Sequence, residues 1–573
     1  MNSVRKPDFN HVYTLVLLVV VVWVARCLHT DEFGFYEDDF WRVPRAMEWS
    51  WDRLWEELSR IFGGWGRFQG RPLHFALIQL LAWAGEKIGG LQGAYWIGYA
   101  IVAANSLLFY GVLRRVIGRE MIVVPCALAY ALYPADTTQA YLTHSLGAQP
   151  ALTFLLAAAL LYHSRWRPAA YVVSLGAMLS YETVFPVFLA VPLLEKTWNR
   201  SHWRSLAIHV AVVAAMMGAA GFLRAVAGEG RMALVDFSDA IRRTLYHLFI
   251  GPVTSLSSYF AQPGEILGSF TGEMQVFFVL ALIAFLVRLA VLRAPTGAAP
   301  TKSAGAKGKR RKQAPRTAPS DDDGFGWDAG RAAAAGAVMI VISYLLAFTL
   351  DATVTHGRAT RVHLAAVPGA ALLIGALMGT VLHFAHKLRA GPAGVALVSL
   401  FFAALVPAAL AVQYDYVRCW RNQRLTWTEI VRQTPDIEPG MVIFAEKIPE
   451  RETREMEYWS WAVPLVYSQL YEFPEDFEPV PAVFGLGQNW RAMLRITKDF
   501  RGLAMGGADA RVHRDSEVVL FVAGNGRLKR ASGPVVVGGI SYPLKEPGAD
   551  GARSLPTRLL YRHLILPDGE GAN

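Results

Sequence analysis

The sequence predicts an α-helical multispan membrane protein of about eleven spans, followed by a mixed α/β soluble domain. Three observations carry this. Of 573 residues, 53% are hydrophobic and only 18% are charged, whereas an average soluble domain has about 25% charged residues. Apolar runs near the ~20 residues that cross a bilayer core recur between positions 12 and 412. Basic residues cluster beside those runs, where they set topology, so the net charge of +10 marks membrane orientation and not nucleic-acid binding. Past position 412 the long runs stop, and short strand-like segments alternate with Gly, Pro and Asp turns. Cys27, Cys126 and Cys419 are far apart in the chain and suggest neither a disulfide framework nor a metal site.

Residues 1–11 carry Arg5 and Lys6 and are expected on the cytoplasmic side, so the span over 12–27 delivers the next segment to the outside. No small-residue cleavage site follows that span, which is therefore read as retained. Next comes Phe35-Tyr36-Glu37-Asp38-Asp39-Phe40-Trp41, three carboxylates ringed by aromatics at the mouth of the membrane region. Such a cluster is costly near lipid and is a functional-site candidate. Residues 47–62 put Met47, Trp51, Leu54, Trp55, Leu58, Ile61 and Phe62 on one stripe of period 3.6. That predicts an amphipathic helix lying in the interface, within an external loop over 30–72.

The stretch 73–83 is short and ends at Glu86-Lys87. A full crossing there would leave Arg114-Arg115 outside, so it is read as re-entrant or interfacial. Spans then follow at 95–113, 121–132 and 150–162, with an external loop at 134–149. Residues 169–194 have basic residues at both ends, which requires two short helices meeting near Tyr181-Glu182. A span at 206–223, an external segment over 224–270 and a span at 276–292 come next. The cytoplasmic linker 294–330 contains Lys307-Gly308-Lys309-Arg310-Arg311-Lys312, and its composition argues disorder. Spans at 332–350, 362–382 and 395–412 complete the membrane domain 1–412. An extracytoplasmic domain, 413–573, is expected to hold strands near 441–445, 518–522, 534–537 and 559–566, and a helix within 455–471. There is no internal repeat of the kind that builds many transporters.

This topology gathers several polar groups on the outer side: Glu37, Asp38 and Asp39; Arg71 and His74; Asp136 and His144; Arg358, Arg361 and His363. Glu182, at the turn of two half-helices, projects among them. A carboxylate can take a proton from an acceptor hydroxyl within hydrogen-bond reach. Arginines bind phosphate in bidentate fashion and stabilise charge on a leaving phosphate. Aromatics stack on sugar rings at the level of lipid headgroups. Asp136 equally suits a turn cap, and Arg358 and Arg361 equally suit snorkelling to the interface. Adjacent Asp38 and Asp39 could hold a divalent cation.

Several segments resemble the GT-C superfamily of polyprenyl-phosphate-sugar-dependent glycosyltransferases. They are Glu37-Asp38-Asp39 after the first span, the Trp-rich helix, Gly70-Arg71-Pro72-Leu73, Leu179-Ser180-Tyr181-Glu182 and Gly357-Arg358-Ala359-Thr360-Arg361. The similarity covers the layout of roughly residues 1–412 and is to bacterial O-antigen-type glucosyltransferases and protein O-mannosyltransferases. It implies a catalytic base at Asp38 or Asp39, with Asp39 the preferred choice, beside Glu37. It places the carrier phosphate on Arg358 and Arg361, while the topology gives Arg71, His74, Asp136, His144, Glu182 and His363 to the substrate side. It implies a multispan protein of the bacterial inner membrane with its active site on the outer face. The expected partners are a polyprenyl-phosphate sugar donor, an extracytoplasmic acceptor and membrane lipid. No cofactor is required apart from a possible divalent cation, and the Trp-Trp-Asp signature of oligosaccharyltransferases is missing. An O-antigen ligase or polymerase, or a lipid-linked sugar flippase, is the alternative reading.

Overall fold

The computed structural model describes residues 9–64, 68–226, 237–292, 321–347, 351–456, 463–486, 518–537, 540–547 and 555–568, with three short strands at Leu494–Ile496, Gly502–Met505 and Val512–Arg514. The basic run 307–312 lies outside the described residues.

The chain opens on α1 (Phe9–Cys27), whose 19 residues span ~28 Å at 1.5 Å per residue. The acidic cluster then begins a helix instead of lying in a loop: α2 runs Asp38–Glu48, with Asp38 and Asp39 in its first turn, where the helix dipole favours negative charge. The single stripe expected over 47–62 is split. Met47 belongs to α2, and α3 (Trp51–Gly63) starts afresh because the Ser50 side chain caps it by accepting from the Arg53 N–H. On α3, Leu54, Glu57 and Ile61 face inward while Trp51, Trp55 and Phe62 stay exposed, as an interfacial helix requires.

Helix α4 (Pro72–Val116) is a hairpin and not one long rod. A Cβ on Gly85 would come within 2.6 Å of the Ala94 backbone, yet residues nine apart on a straight helix are ~13 Å apart. The reversal occurs at Gly89-Gly90, and Gly90 has φ +63°, a conformation that costs glycine little. Residues 72–88 pack on α2 and α3, and Trp83 donates to the Trp49 carbonyl at 3.2 Å. They lie against α2 and α3, and residues 91–116 form the second arm of the hairpin.

There follow α5 (Glu120–Ala131), a π-helical turn His144–Ala148 continuing into α6 (Gln149–Tyr162), and α7 (Arg167–Ser180) meeting a 3-10 helix Glu182–Leu194 at Tyr181. The predicted meeting point of two half-helices is thus present. Then come α8 (Arg200–Val226), α9 (Phe237–Ile266), α10 (Gly272–Ala290) and α11 (Asp321–Ile342). A 3-10 helix Arg358–Ala366 leads into α12 (Val367–Lys387), and α13 (Gly391–Arg432) closes the helical part. Eight helical stretches among the described residues are long and apolar enough to cross a membrane, and the apolar Glu120–Ala131 and Glu182–Leu194 are shorter. In α8 only 11% of the most apolar stretch is buried inside the protein. An apolar surface that wide and unburied suits lipid, not water. The chain is a multispan helical membrane protein.

Two ends of the bundle differ in charge. At one, Arg119 donates to Asp328 at 2.7 Å, Arg331 reaches the Leu194 and Val116 carbonyls, and Arg288 pairs with Glu120. Arg115 donates to the His163 carbonyl at 2.8 Å and Arg167 to Glu195 at 2.7 Å. At the other end lie α2, α3, residues 72–88 and α9. The segment expected to be external over 224–270 is therefore largely helical. His247 bonds the Ala347 carbonyl and Glu265 pairs with Arg454, so positions 247 and 265 of α9 both lie on this side. Two further differences concern where helices end. Helix α11 starts at Asp321, inside the predicted linker 294–330. Helix α13 has 42 residues, ~63 Å, so position 412 falls in its middle. Falling hydropathy there marks exit from an apolar core of ~30 Å, not the end of the helix.

Beyond α13 a four-stranded mixed sheet has the order Ala482–Leu486, Val442–Glu446, Val518–Gly524, Arg527–Arg530. Its first three strands are parallel, and the last pair is an antiparallel hairpin. That hairpin turns on Asn525-Gly526, with φ +52° and +71°, the pairing that suits a two-residue turn. Val535–Val537 is a strand as predicted. Leu559–Leu564 is a helix, not the expected strand over 559–566. Leu560 and Leu564, one turn apart, are buried, and the Leu559 N–H donates to Glu48 of α2. Of the helix sought within 455–471, only Val463–Leu465 and Tyr467–Leu470 are helical, and 457–462 lie outside the described residues.

Candidate active site

At the end opposite the basic one is a cavity of about 360 Å³. Its walls come from α2 (Asp38, Trp41, Arg42), the start of α4 (Gln69, Arg71, His74, Phe75, Ile78), the π-turn (Thr143, His144), Tyr181, and the 3-10 helix at Arg358 and Arg361. Irregular backbone builds most of it. Glu37, just before α2, has φ +43°, an uncommon value for a residue with a side chain. Gly357 has φ +76°, and a Cβ there would meet the Glu455 carbonyl at 3.1 Å. A Cβ on Gly147 would come within 2.7 Å of the His74 ring, so glycine permits the π-turn to touch α4.

Acid from the start of the chain meets base from far along it. Arg358 donates to Glu37 at 2.9 Å and lies 3.5 Å from Asp38. Burial pushes the Glu37 carboxyl above its usual range, and Arg358 pulls it back. Asp38 lines the cavity, and its Oδ1 is buried without a hydrogen-bond partner. Arg361 likewise has an unpartnered Nε there. Arg71 makes a bidentate pair with Glu182, both contacts 2.5 Å, and stacks over Tyr181 at 4.7 Å. Arg224 lies 3.5 Å from Glu182 and donates to the Gly70 carbonyl. Arg42 lies 4.1 Å over the Phe75 ring, and burial lowers its pKa to about 10. Five guanidiniums thus face three carboxylates, leaving a surplus of positive charge in a half-closed cleft.

Of the residues expected from sequence, Asp38, Arg71, His74, His144, Arg358 and Arg361 line this cavity. Glu37 and Glu182 stand behind it and hold its arginines. Three do not reach it. Asp39 is fully buried, and its two oxygens accept from the Thr143 N–H at 2.8 Å, Leu142 N–H at 3.1 Å and Tyr36 N–H at 3.3 Å. Burial drives its carboxyl up to about 7 against those three donors. The preference for Asp39 as base is therefore corrected: it is sealed from the cavity, and its oxygens tie α2 to Leu142 and Thr143. Asp136 accepts from the Thr138 N–H at 3.1 Å and the Thr138 hydroxyl at 2.5 Å, the turn-capping role. His363 is fully buried, bonding Tyr344 OH at 2.6 Å and the Val354 carbonyl at 2.9 Å.

The carboxylate trio does not fit a cation. Asp39 is satisfied by backbone and Glu37 by Arg358, and among the described residues no three of His, Cys, Asp and Glu are placed to hold a metal ion. Sequence reasoning missed Arg42, although it is four residues from Asp38 and so on the same helix face. It also missed Arg224, taken only as the start of an external segment.

No family model and no curated protein matches the chain. Among solved structures, the chain is similar to the crystal structure of ArnT from Cupriavidus metallidurans bound to undecaprenyl phosphate, at 17% identity and a TM-score of 0.31, over 77% of this chain and 83% of that one. So distant a likeness transfers neither substrate nor reaction to the present chain.

Proposed function

We propose that the protein is an inverting glycosyltransferase of a bacterial inner membrane, moving one sugar from a polyprenyl-phosphate donor to an acceptor on the outer side. The observation that carries this is the cavity lined together by Asp38, whose Oδ1 has no hydrogen-bond partner, and by Arg361, Arg358, Arg71 and Arg42. The basic ends of the helices lie at the opposite pole, which supports an outward-facing cavity under the positive-inside rule. The exposed apolar flanks of α3 and α9 border the same end, where the chain of a lipid-linked donor would lie in the membrane.

In this reading Asp38 accepts the proton of the acceptor hydroxyl. The acceptor oxygen attacks the anomeric carbon from the face opposite the phosphate, and the bond from that carbon to the phosphate oxygen breaks. The electron pair leaves with the phosphate, whose charge grows by one unit as the diester becomes a monoester. Of the five arginines at the site, Arg361 and Arg42 form no ion pair with a carboxylate among the described residues, and they are the ones suited to that growing charge. Arg358 is committed to Glu37 and Asp38, so its role is to hold the base more than to bind phosphate.

The test is transfer by membrane vesicles supplied with undecaprenyl-phosphate-linked radiolabelled sugars. Label should pass to membrane-associated acceptor in the wild type and stop in Asp38→Asn. Consumption of pyrophosphate-linked oligosaccharide instead would identify a ligase. Vesicles that equilibrate the donor across the bilayer without consuming it would identify a flippase.

A further inference from the structure

Two histidines that line the cavity have a ring nitrogen without a hydrogen-bond partner, His74 at Nδ1 and His144 at Nε2, and the phosphate chemistry uses neither. His144 is 7% exposed, lines the cavity, and has an Nε2 that is buried without a hydrogen-bond partner. Its other nitrogen, Nδ1, lies 2.7 Å from the Thr138 hydroxyl. That hydroxyl lies 2.5 Å from Asp136 Oδ1.

The protons in this row can be assigned by counting. An ionised carboxylate only accepts, and a hydroxyl has one proton to give. The Thr138 proton therefore goes to Asp136, and Thr138 must accept from His144. Nδ1 of His144 then carries the hydrogen, and a neutral ring leaves Nε2 bare. A second proton on Nε2 is opposed by Arg358 and Arg361, which line the same cavity. The ring is also fixed in orientation: the Tyr181 ring meets its face edge-on at 6.2 Å.

We infer that His144 reads a hydroxyl of the transferred sugar, accepting its hydrogen bond at Nε2, with Thr138 and Asp136 as positioning residues that fix the tautomer. Every nitrogen that the surrounding arginines offer is a donor. A glycosyl phosphate brings acceptors at its phosphate and donors at its hydroxyls, so a site that binds both parts needs an acceptor beyond the base. A buried acceptor left unmatched costs affinity, which is how such a site rejects a ligand lacking the hydroxyl. The inference rests on the glycosyl-phosphate reading above.

Equilibrium binding to the full-length protein in nanodiscs separates the two. The probes are undecaprenyl phosphate alone and its glucosyl, mannosyl, galactosyl and N-acetylglucosaminyl phosphodiesters. The wild type should bind at least one glycosylated probe more tightly than the bare carrier. His144→Phe should lose about tenfold of that increment, the worth of one good hydrogen bond, and bind undecaprenyl phosphate unchanged. Thr138→Val should lose much of it, and Thr138→Ser, which keeps the hydroxyl, should retain it. An increment that survives in His144→Phe, or is absent from the wild type with every sugar, overturns the inference. Failure of the wild type to bind undecaprenyl phosphate at all is the distinct result that removes the glycosyl-phosphate reading itself.

Discussion

Separating Asp38 from Asp39 is the sharpest test of the proposed chemistry, because adjacent residues of one type do opposite jobs. Asp38 is about a quarter exposed, and among the described residues its one ion pair, to Arg358, is long at 3.5 Å. An exposed pair of that kind contributes at most ~1 kcal/mol, so Asp38→Asn should leave the melting temperature nearly unchanged. Loss of a general base costs ~10²- to 10⁴-fold in rate, or ~3–5 kcal/mol of barrier. Asp39→Ala reverses the balance. It strands three buried backbone N–H groups, of Tyr36, Leu142 and Thr143, at ~1–3 kcal/mol each. That is a large share of the 5–15 kcal/mol typical of a fold. Asp39→Asn keeps an acceptor oxygen for some of these donors and should retain transfer. The assay is initial-rate sugar transfer beside thermal unfolding followed by intrinsic Trp fluorescence, on the same purified samples. A folded, inactive Asp39→Asn beside an active Asp38→Asn would refute the assignment of roles.

Other outcomes follow from the same geometry. Arg361→Ala removes one charge-assisted contact to phosphate and should weaken undecaprenyl phosphate binding by ~10- to 100-fold, measured by tryptophan quenching. Glu182→Gln leaves Arg71 and Arg224 without their shared carboxylate. It should lower stability by ~3–5 kcal/mol, as breaking a buried pair does, visible as a fall in unfolding temperature. Glu455, on the segment after α13, accepts from the Gly357 N–H at 2.9 Å and from His356 at 2.9 Å. Glu455→Ala should therefore loosen the loop leading to Arg358 and cut the transfer rate several-fold, with undecaprenyl phosphate affinity unchanged. His363→Phe breaks the contacts to Tyr344 and Val354 and should destabilise the 3-10 helix that carries both arginines. Faster hydrogen exchange in residues 358–366 is the expected sign.

What the sequence made legible depended on how far each signal reaches. Hydropathy and basic flanks are strong because crossing a bilayer is expensive, and they located the membrane helices and the half-helix junction at Tyr181-Glu182. They also drew acid and arginine, 321 residues apart in Arg358 and Glu37, to one end of the molecule. Direction was not legible. Glu37, Asp38 and Asp39 are equivalent in composition, but once α2 begins at Asp38 successive side chains turn by ~100°. One is then aimed at the cavity and the next at the buried 132–143 loop. Nothing in the local sequence announces that start: Pro44 lies within the helix, and the residue before it has a strained φ. The same limit hid Arg42, which needs the helical register to be brought beside Asp38, and it made Asp136 resemble a ligand when it is a cap. A cluster of carboxylates in a sequence therefore locates a site to within a turn of helix. The choice of base among them belongs to burial and backbone hydrogen bonds, since a carboxylate sealed from the cavity and held by three N–H groups is out of reach of a substrate's proton.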